Sequence, residues 1–203
     1  MSPESAITFF IAIFIFGVTP GPGVFAILAR ALSAGTGACF PLALGMVISD
    51  IAYMVLACYG LSALAEHWNE VFLAVRIAGA IYLCYLGFKI WNTPAPQAQA
   101  ETATAPGKRF SLLQGFLISA SNPKVILFYI AFLPTFIDLT ALSHTDIAIA
   151  GILTLLALMA SLMLIAAGAA SARRLFRSPR GARVLNRSAG AIMVGAGTYL
   201  ITR

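Results

Sequence analysis

The stretch FGVTPGPG, residues 16–23, interrupts an apolar run that extends from Ala6 to Ala29. Its two prolines, Pro20 and Pro22, remove backbone donors and its glycines relax the backbone, so a continuous helix cannot pass through it. Inside a membrane, irregular backbone is tolerated only where protein surrounds it or where it lines a polar cavity. The stretch therefore predicts a helix that is broken within the membrane.

A second interruption, SNPK at residues 121–124, divides another apolar run later in the chain. Proline is favoured at the first position of a helix, so Gly21-Pro22 and Asn122-Pro123 are both typical of helix starts. Each start would place unpaired N–H groups and a positive dipole end inside the membrane, where two facing ends suit an anionic group. Packing kinks are the alternative. The predicted substrate-binding residues are Pro20, Gly21, Pro22, Asn122, Pro123 and Lys124.

The composition is that of a membrane protein. Of the 203 residues, 60% are hydrophobic and 10% are charged, whereas a soluble domain has about a quarter charged residues. The net charge of +6 lies mostly in short tracts between apolar runs, which favours topology signals over nucleic-acid binding. Six spans are predicted from the apolar runs, at 5–30, 37–64, 71–91, 111–136, 147–170 and 184–202.

Positive charge lies mainly on one side of this six-span scheme. That side holds Arg30, Lys89, Lys108, Arg109, Arg173, Arg174, Arg177, Arg180, Arg183 and Arg187. The other side has Arg76 and Arg203, and its loop around Asp138 and Asp146 lacks Lys and Arg. Since basic loops stay in the cytoplasm, both termini are predicted to lie outside it. Lipid or partner binding by residues 173–187 is the alternative reading of that basic loop.

The two halves of the chain resemble each other. Residues 76–81 read RIAGAI and residues 187–192 read RSAGAI, and each is followed by a Tyr-Leu pair. Chance similarity between Ala- and Gly-rich helices is the alternative to duplication. A three-span repeat inserts in the opposite sense the second time. The predicted fold is therefore an all-α membrane protein with six transmembrane helices in two inverted three-helix repeats, residues 1–91 and 111–203. Helices 1 and 4 are broken, and residues 92–110 form a flexible cytoplasmic linker.

Two ionisable side chains lie deep in the predicted spans, Asp50 in the second and Lys124 in the fourth. A buried charge is costly in a membrane and usually marks a functional site. Lys124 suits binding of a substrate carboxylate, and Asp50 suits proton coupling or recognition of an ammonium group. The alternatives are a static salt bridge between the two side chains and an interfacial Lys124.

No cofactor or metal site is predicted. The three cysteines have no C-x-x-C spacing, so free thiols are expected. His67 and His144 have no partners at ligand spacing. The chain also has no H-E-x-x-H motif and no phosphate loop, so it is not expected to be an enzyme.

In combination, these motifs resemble the LysE/RhtB family of bacterial amino-acid exporters. The resemblance is carried by Pro20-Gly21-Pro22, Gly35…Gly45…Asp50, Gly79…Tyr82-Leu83…Leu86-Gly87 and Asn122-Pro123-Lys124…Phe128…Phe132-Leu133-Pro134. Ser49 stands where the family usually has a glycine before the aspartate. The resemblance implies proton-driven export of amino acids or related small zwitterionic metabolites across the inner membrane. The implied partners are that substrate, protons and the lipid bilayer; nucleic acid is excluded, and homo-oligomers stay open.

Three other classes of protein fit the sequence less well. A divalent-metal or other small-ion exporter of related architecture would need several acids, histidines or methionines converging in the membrane. A thiol-relay protein would need a cysteine in each half, and all three cysteines precede residue 92. A non-transporting subunit would leave the burial of Asp50 and Lys124 unexplained.

The predicted topology can be tested by labelling. In a cysteine-free background, a Gln97→Cys variant should react with a membrane-impermeant thiol reagent only after the cytoplasmic side is exposed. A Thr140→Cys variant, in the loop between spans four and five, should react in intact cells. Labelling of residue 97 in intact cells would show that the predicted orientation in the membrane is inverted.

Overall fold

A computed structural model describes residues 1–67, 69–92, 107–136 and 143–169, with scattered helical positions between 183 and 198. This part of the chain is helical and contains no strand. A short 3₁₀ turn, Thr36–Ala38, separates the second and third helices. The seven α-helices are α1 (Pro3–Val18), α2 (Pro22–Ala34), α3 (Cys39–His67), α4 (Asn69–Asn92), α5 (Lys108–Ala120), α6 (Pro123–Phe136) and α7 (His144–Ala167).

Both predicted breaks are present in the structure. The axes of α1 and α2 meet at 62°, and those of α5 and α6 meet at 60°. Proline stands at the first position of α2 and of α6, where its missing N–H removes no helical hydrogen bond. In the described residues, two unbroken helices, α3 and α7, are long and apolar enough to cross a membrane. The total rises to four spans if each bent pair counts as one.

Two predicted spans remain, the third and the sixth. The helix α4 coincides with the predicted third span, residues 71–91. The predicted sixth span, residues 184–202, lies mostly outside the described residues, and so do residues 93–106 of the predicted linker. The six-span count and the inverted repeat therefore stay predictions.

Both ends of the predicted linker, residues 92–110, overlap helices in the structure. Asn92 is the last residue of α4, and α5 already begins at Lys108, with Gly107 as its N-cap. Lys and Arg have high helix propensity, so they extend the helix backwards as far as the glycine allows.

Apolar side chains cover the outside of the helices as well as the core. Ile7, Leu56, Phe88 and Ile152 are each more than half exposed, on four different helices. An exposed apolar surface of this extent is unusual in a soluble monomer. It matches helices whose outer faces contact lipid.

The central contact of the bundle joins α3 and α5 at two glycines. A Cβ atom at Gly45 would overlap the carbonyl oxygen of Leu112, and one at Gly115 would overlap that of Leu42. The two backbones therefore touch directly, as small residues permit between membrane helices. This contact fixes α3 beside the break between α5 and α6.

One end of the bundle, which we call the Met1 end, gathers the beginnings of α1 and α7 and the end of α6. The N-terminal ammonium of Met1 forms a salt bridge with Asp146 in the first turn of α7. Phe9 of α1 packs edge-on against Phe136 of α6, with 5.6 Å between ring centroids. These contacts bring three helix ends together.

The opposite end, which we call the Arg30 end, joins the last turns of α2 to the first turns of α5. The guanidinium of Arg30 donates to Gln114 Oε1 at 2.8 Å and to Ser111 Oγ at 3.2 Å. Lys108 and Arg109 begin α5, so they belong to the same end. Arg30, Lys108 and Arg109, which the charge pattern assigns to one side of the membrane, thus lie at the same end of the bundle.

The three cysteines are free thiols, as expected. Cys39 and Cys58 are buried and Cys84 is partly exposed. Cys39 donates weakly to the Ile27 carbonyl at 3.5 Å, and Cys58 to the sulfur of Met54 at 3.7 Å. Cys39 and Cys58 act as small core side chains.

The glycine contact between α3 and α5 can be tested with two alanine variants of α3. Gly45→Ala should lower the stability by about 1–3 kcal/mol, because its methyl group forces the two backbones apart. Gly60→Ala is the matched control, since nothing lies within 4 Å of its Cβ position. Thermal unfolding in detergent measures both, and equal melting temperatures would contradict the contact.

Candidate functional site

A cavity of about 40 Å³ lies where the two broken helices meet. Its wall includes the end of α1, the start of α2, the end of α5 and the start of α6, with α3 and α7 closing the sides. The polar groups of the wall lie at the breaks and on α3, whereas α7 contributes Leu158 and Leu162. The breaks thus create a polar site inside an apolar bundle.

Lys124 occupies the first turn of α6 and is 5% exposed. Its Nζ donates to the carbonyl oxygens of Phe16 at 2.9 Å and Thr19 at 2.8 Å, and it lies 4.3 Å from the centroid of the Phe16 ring. These carbonyls form the end of α1, which is the negative end of that helix dipole. The ammonium of Lys124 therefore joins one broken helix to the other.

Asp50 lies on α3 and is 3% exposed. Its carboxylate accepts a hydrogen bond from the hydroxyl of Ser119, in the last turn of α5. No Asp50 oxygen lies within 4.0 Å of Lys124 Nζ, because each group has found a nearer partner. The static salt bridge that the sequence left open is therefore not formed in this structure.

The two helix starts differ in how they are capped. At α6, the side chain of Asn122 accepts from the backbone N–H of Lys124 at 3.1 Å. At α2, Gly21 supplies no side-chain cap. Gly21, Gly23 and Val24 line the cavity, so the uncapped N–H groups of this first turn lie beside it. The start of α2 is the better placed of the two for an anion.

Four of the seven residues predicted for the site line one cavity. These are Gly21, Asp50, Asn122 and Lys124. Pro22 and Pro123 are exposed on the outside of the bundle, and Pro20 is buried but not on the cavity wall. At the first position of a helix, proline fixes the local backbone and leaves the contacts to its neighbours.

Several cavity residues were given no role in the predicted substrate site. Thr19 lies three residues before the start of α2 and Ser119 four residues before the start of α6, and a hydroxyl beside a break in an apolar span was the available signal. Phe16 and Thr19 were both part of the quoted stretch. The place of Met46 on the cavity wall could not be predicted from the sequence, because it follows from the packing of α3.

The cavity holds one acidic and one basic side chain among mostly aliphatic walls. Among the described residues, no group of three or more His, Cys, Asp or Glu side chains could hold a metal ion. The arrangement suits a small molecule that carries both an ammonium and a carboxylate group. It gives little support to a metal ion as cargo.

Comparison with known proteins gives a consistent result. The profile of the family described as LysE type translocator matches residues 14–203. A leucine efflux protein of Salmonella typhimurium is 33% identical over 94% of this chain and 91% of its own. One of Enterobacter sp. is 31% identical over 93% and 90%. An uncharacterized membrane protein of Synechocystis sp. is 28% identical over 99% and 97%. No solved structure gives a significant match.

The contact between Ser119 and Asp50 can be tested by removing one hydroxyl. Ser119→Ala should lower the free energy of unfolding by about 1–3 kcal/mol, because the buried carboxylate loses its donor. Ser121→Ala is the matched control, since its exposed hydroxyl bonds only to Leu117 in its own helix. In the Asp50→Asn background the cost of Ser119→Ala should shrink. An unchanged cost in that double-mutant cycle would show that the two side chains are not coupled.

Proposed function

The chain belongs to the LysE type translocator family, and from that premise we propose that it exports neutral amino acids across the bacterial inner membrane. Members of the family are transporters and not enzymes, so the resemblance inferred from the motifs is confirmed. The protein is a multi-pass membrane protein. The leucine efflux proteins among its relatives support an amino acid as substrate.

One observation carries the proposal: Asp50 and the uncapped start of α2 line the same cavity as Lys124. An amino acid is a zwitterion, so its binding site needs an acceptor for the ammonium and donors for the carboxylate. Asp50 is the acidic side chain of the wall and is assigned the ammonium. The N–H groups of Gly23 and Val24 at the start of α2 are assigned the carboxylate.

Lys124 takes a double role in this assignment. An ammonium has three donors, and two of them bond to the carbonyls of Phe16 and Thr19. The third is directed to the substrate carboxylate. A Cβ at Gly21 would lie 3.5 Å from Cδ of Lys124, an ordinary contact, so the start of α2 lies directly beside the Lys124 side chain. Lys124 thus binds substrate and supports α1 with the same charge.

The aliphatic part of the wall supports a neutral, apolar substrate side chain. It includes Val24, Met46, Leu158 and Leu162. A charged substrate side chain would lose its hydration there without compensation. A cavity of about 40 Å³ holds roughly three water molecules, at about 10–15 Å³ each. An amino acid has more heavy atoms than three, so we propose that the broken helices move apart during transport.

We propose that this movement follows an inverted repeat, with residues 1–91 and 111–203 as its two halves. The support is that the two breaks bend by nearly equal angles, 62° and 60°. The same contacts also recur with the two halves exchanged. Helix α3 packs on α5 as α7 packs on α1, and α3 packs on α6 as α7 packs on α2. Alternating access in such folds rocks one half against the other around a fixed site.

We further propose that the Arg30 end faces the cytoplasm and that both termini lie outside. The cluster of Arg30, Lys108 and Arg109 at one end supports this orientation, since basic residues are retained on the cytoplasmic side. The inner-membrane proton gradient then drives export, with Asp50 alternating between a proton and the substrate ammonium. Homo-oligomers are not required by this scheme.

Transport by purified protein in proteoliposomes tests the function. The wild-type protein should exchange labelled leucine or another neutral amino acid and accumulate it against its gradient when a pH gradient is imposed. Asp50→Asn, which imitates the protonated carboxyl, should reduce that accumulation by about 10²-fold or more, the usual scale of a positioned proton acceptor.

The matched control is Glu70→Gln, which neutralises an exposed acid of α4. It should transport like the wild type. If no amino acid is transported by the wild type, the proposed function is wrong. If Asp50→Asn still concentrates substrate, Asp50 is not the coupling residue.

A further inference from the structure

Three buried side-chain hydroxyls have no hydrogen-bond partner in the described part of the chain: those of Ser49, Tyr129 and Thr154. Tyr129 is 1% exposed and Thr154 is fully buried. A buried hydroxyl without a partner destabilises the fold unless water or a ligand satisfies it. The hydroxyls of Tyr129 and Thr154 are neighbours, although they do not meet the geometry of a hydrogen bond. They form a pair that packing alone does not explain.

This hydroxyl pair lies on one side of the transport cavity. Tyr129 stands six residues beyond Pro123, about 9 Å along α6 toward the Met1 end. Thr154 precedes the cavity residue Leu158 by one turn of α7, about 6 Å toward the same end. Asp50 is close enough for its charge to act on the Tyr129 hydroxyl. Along α6 and α7, the pair therefore lies between the cavity and the Met1 end.

The surroundings of the pair are apolar. Phe128 packs edge-on against Tyr129 and stacks on Phe132, with centroid distances of 5.4 and 4.9 Å. The ring of Phe16 lies 4.2 Å from that of Phe128. These rings form an aromatic seam between α1 and α6, whereas protons can pass between hydroxyls and single water molecules.

Charged groups lie on both sides of the pair along the bundle. On the cavity side they are Asp50 of α3 and Lys124 of α6. Toward the Met1 end they are Asp146 of α7 and the N-terminal ammonium beside α1. A proton that crosses the pair therefore moves between the Met1 end and the cavity.

We propose that Tyr129 and Thr154 form a hydroxyl relay that conducts protons between the Met1 end and Asp50 while the aromatic seam stays closed to substrate. The relay rests on the proposed function, because it supplies the proton that the exchange with substrate requires. It assigns a role to two residues outside the substrate cavity. It also gives their unpaired hydroxyls a partner, water.

The transfer balances without any other reactant. A protonated water molecule (H₃O⁺) at the Met1 side gives its extra proton to one hydroxyl oxygen and becomes water again, and that hydroxyl passes its own proton onward through the second hydroxyl and water. An O–H bond forms on the carboxylate of Asp50, and each hydroxyl ends with the proton count with which it began. Asp50 releases the proton to water on the other side when the substrate ammonium takes its place.

Two substitutions remove the relay with little change of shape, Tyr129→Phe and Thr154→Val. Since neither hydroxyl has a protein partner, the double variant should fold and melt at or above the wild-type temperature. Thr154→Ser in the Tyr129→Phe background keeps one hydroxyl of the pair. Tyr59→Phe is the matched control, because its hydroxyl lies at the surface beside His144.

The experiment compares two activities of the same proteoliposomes with labelled leucine. Exchange is measured at equal pH on both sides, and accumulation is measured under an imposed pH gradient. The double variant should lose about 10²-fold in accumulation, the lower end of the range for loss of a proton-transfer group, while exchange stays near wild type. Thr154→Ser should recover part of the loss, and Tyr59→Phe should lose neither activity.

Other outcomes overturn the relay. If both activities of the double variant are unchanged, protons reach Asp50 elsewhere. If both fall together, the pair belongs to the substrate path or to the fold. Accumulation driven by a sodium gradient and not by a pH gradient would make the pair a sodium site. Failure of the proposed function is distinguishable, since the wild-type protein itself would then show no exchange with any amino acid.

Discussion

The hydrogen bonds from the Lys124 ammonium to the carbonyls of Phe16 and Thr19 are the interaction on which the site depends. Breaking a helix inside a membrane exposes carbonyl groups that lipid cannot satisfy. A buried ammonium is equally costly unless it is surrounded by acceptors. Each group therefore removes the cost of the other, and the start of α6 is held against the end of α1. The cavity lies at these two helix ends because the hydrogen bonds hold them side by side.

The second break is closed in a similar way with different chemistry. The hydroxyl of Tyr53 on α3 donates to the carbonyl of Ala120 at the end of α5, at 2.7 Å. A neutral hydroxyl at one break and a charged ammonium at the other make the cavity electrostatically unequal. Asp50, three helices before Lys124 along the chain, adds the opposite charge to the same space. An unequal site of this kind can orient a zwitterion, which a symmetric pair of helix ends could not.

The frame around the cavity is more tightly packed than the cavity itself. Gly45 and Gly115 bring α3 and α5 into backbone contact, and a Cβ at Gly17 would overlap the side chain of Ser161 on α7. Close contacts of this kind resist small deformations, because interiors are packed at crystal density. Movement is then expected where hydrogen bonds are already interrupted, at the two breaks. Rigid helix pairs joined by interrupted helices are the mechanical basis of alternating access.

The sequence by itself determined the membrane class, the two breaks, the two deep charges and the family, because each follows from local chemistry. Proline and glycine fix which backbone groups can pair, and a lysine or aspartate in an apolar span is costly whichever way its side chain points. Only the tertiary structure decided which partners those groups find. Lys124 bonds to carbonyls 105 and 108 residues away, and Ser119 donates to an aspartate 69 residues away. These pairings depend on the rotation and crossing of whole helices, which are set by packing summed over many side chains. For the same reason, the exclusion of Pro22 and Pro123 from the cavity and the unpaired hydroxyls of Tyr129 and Thr154 could not be read from the chain.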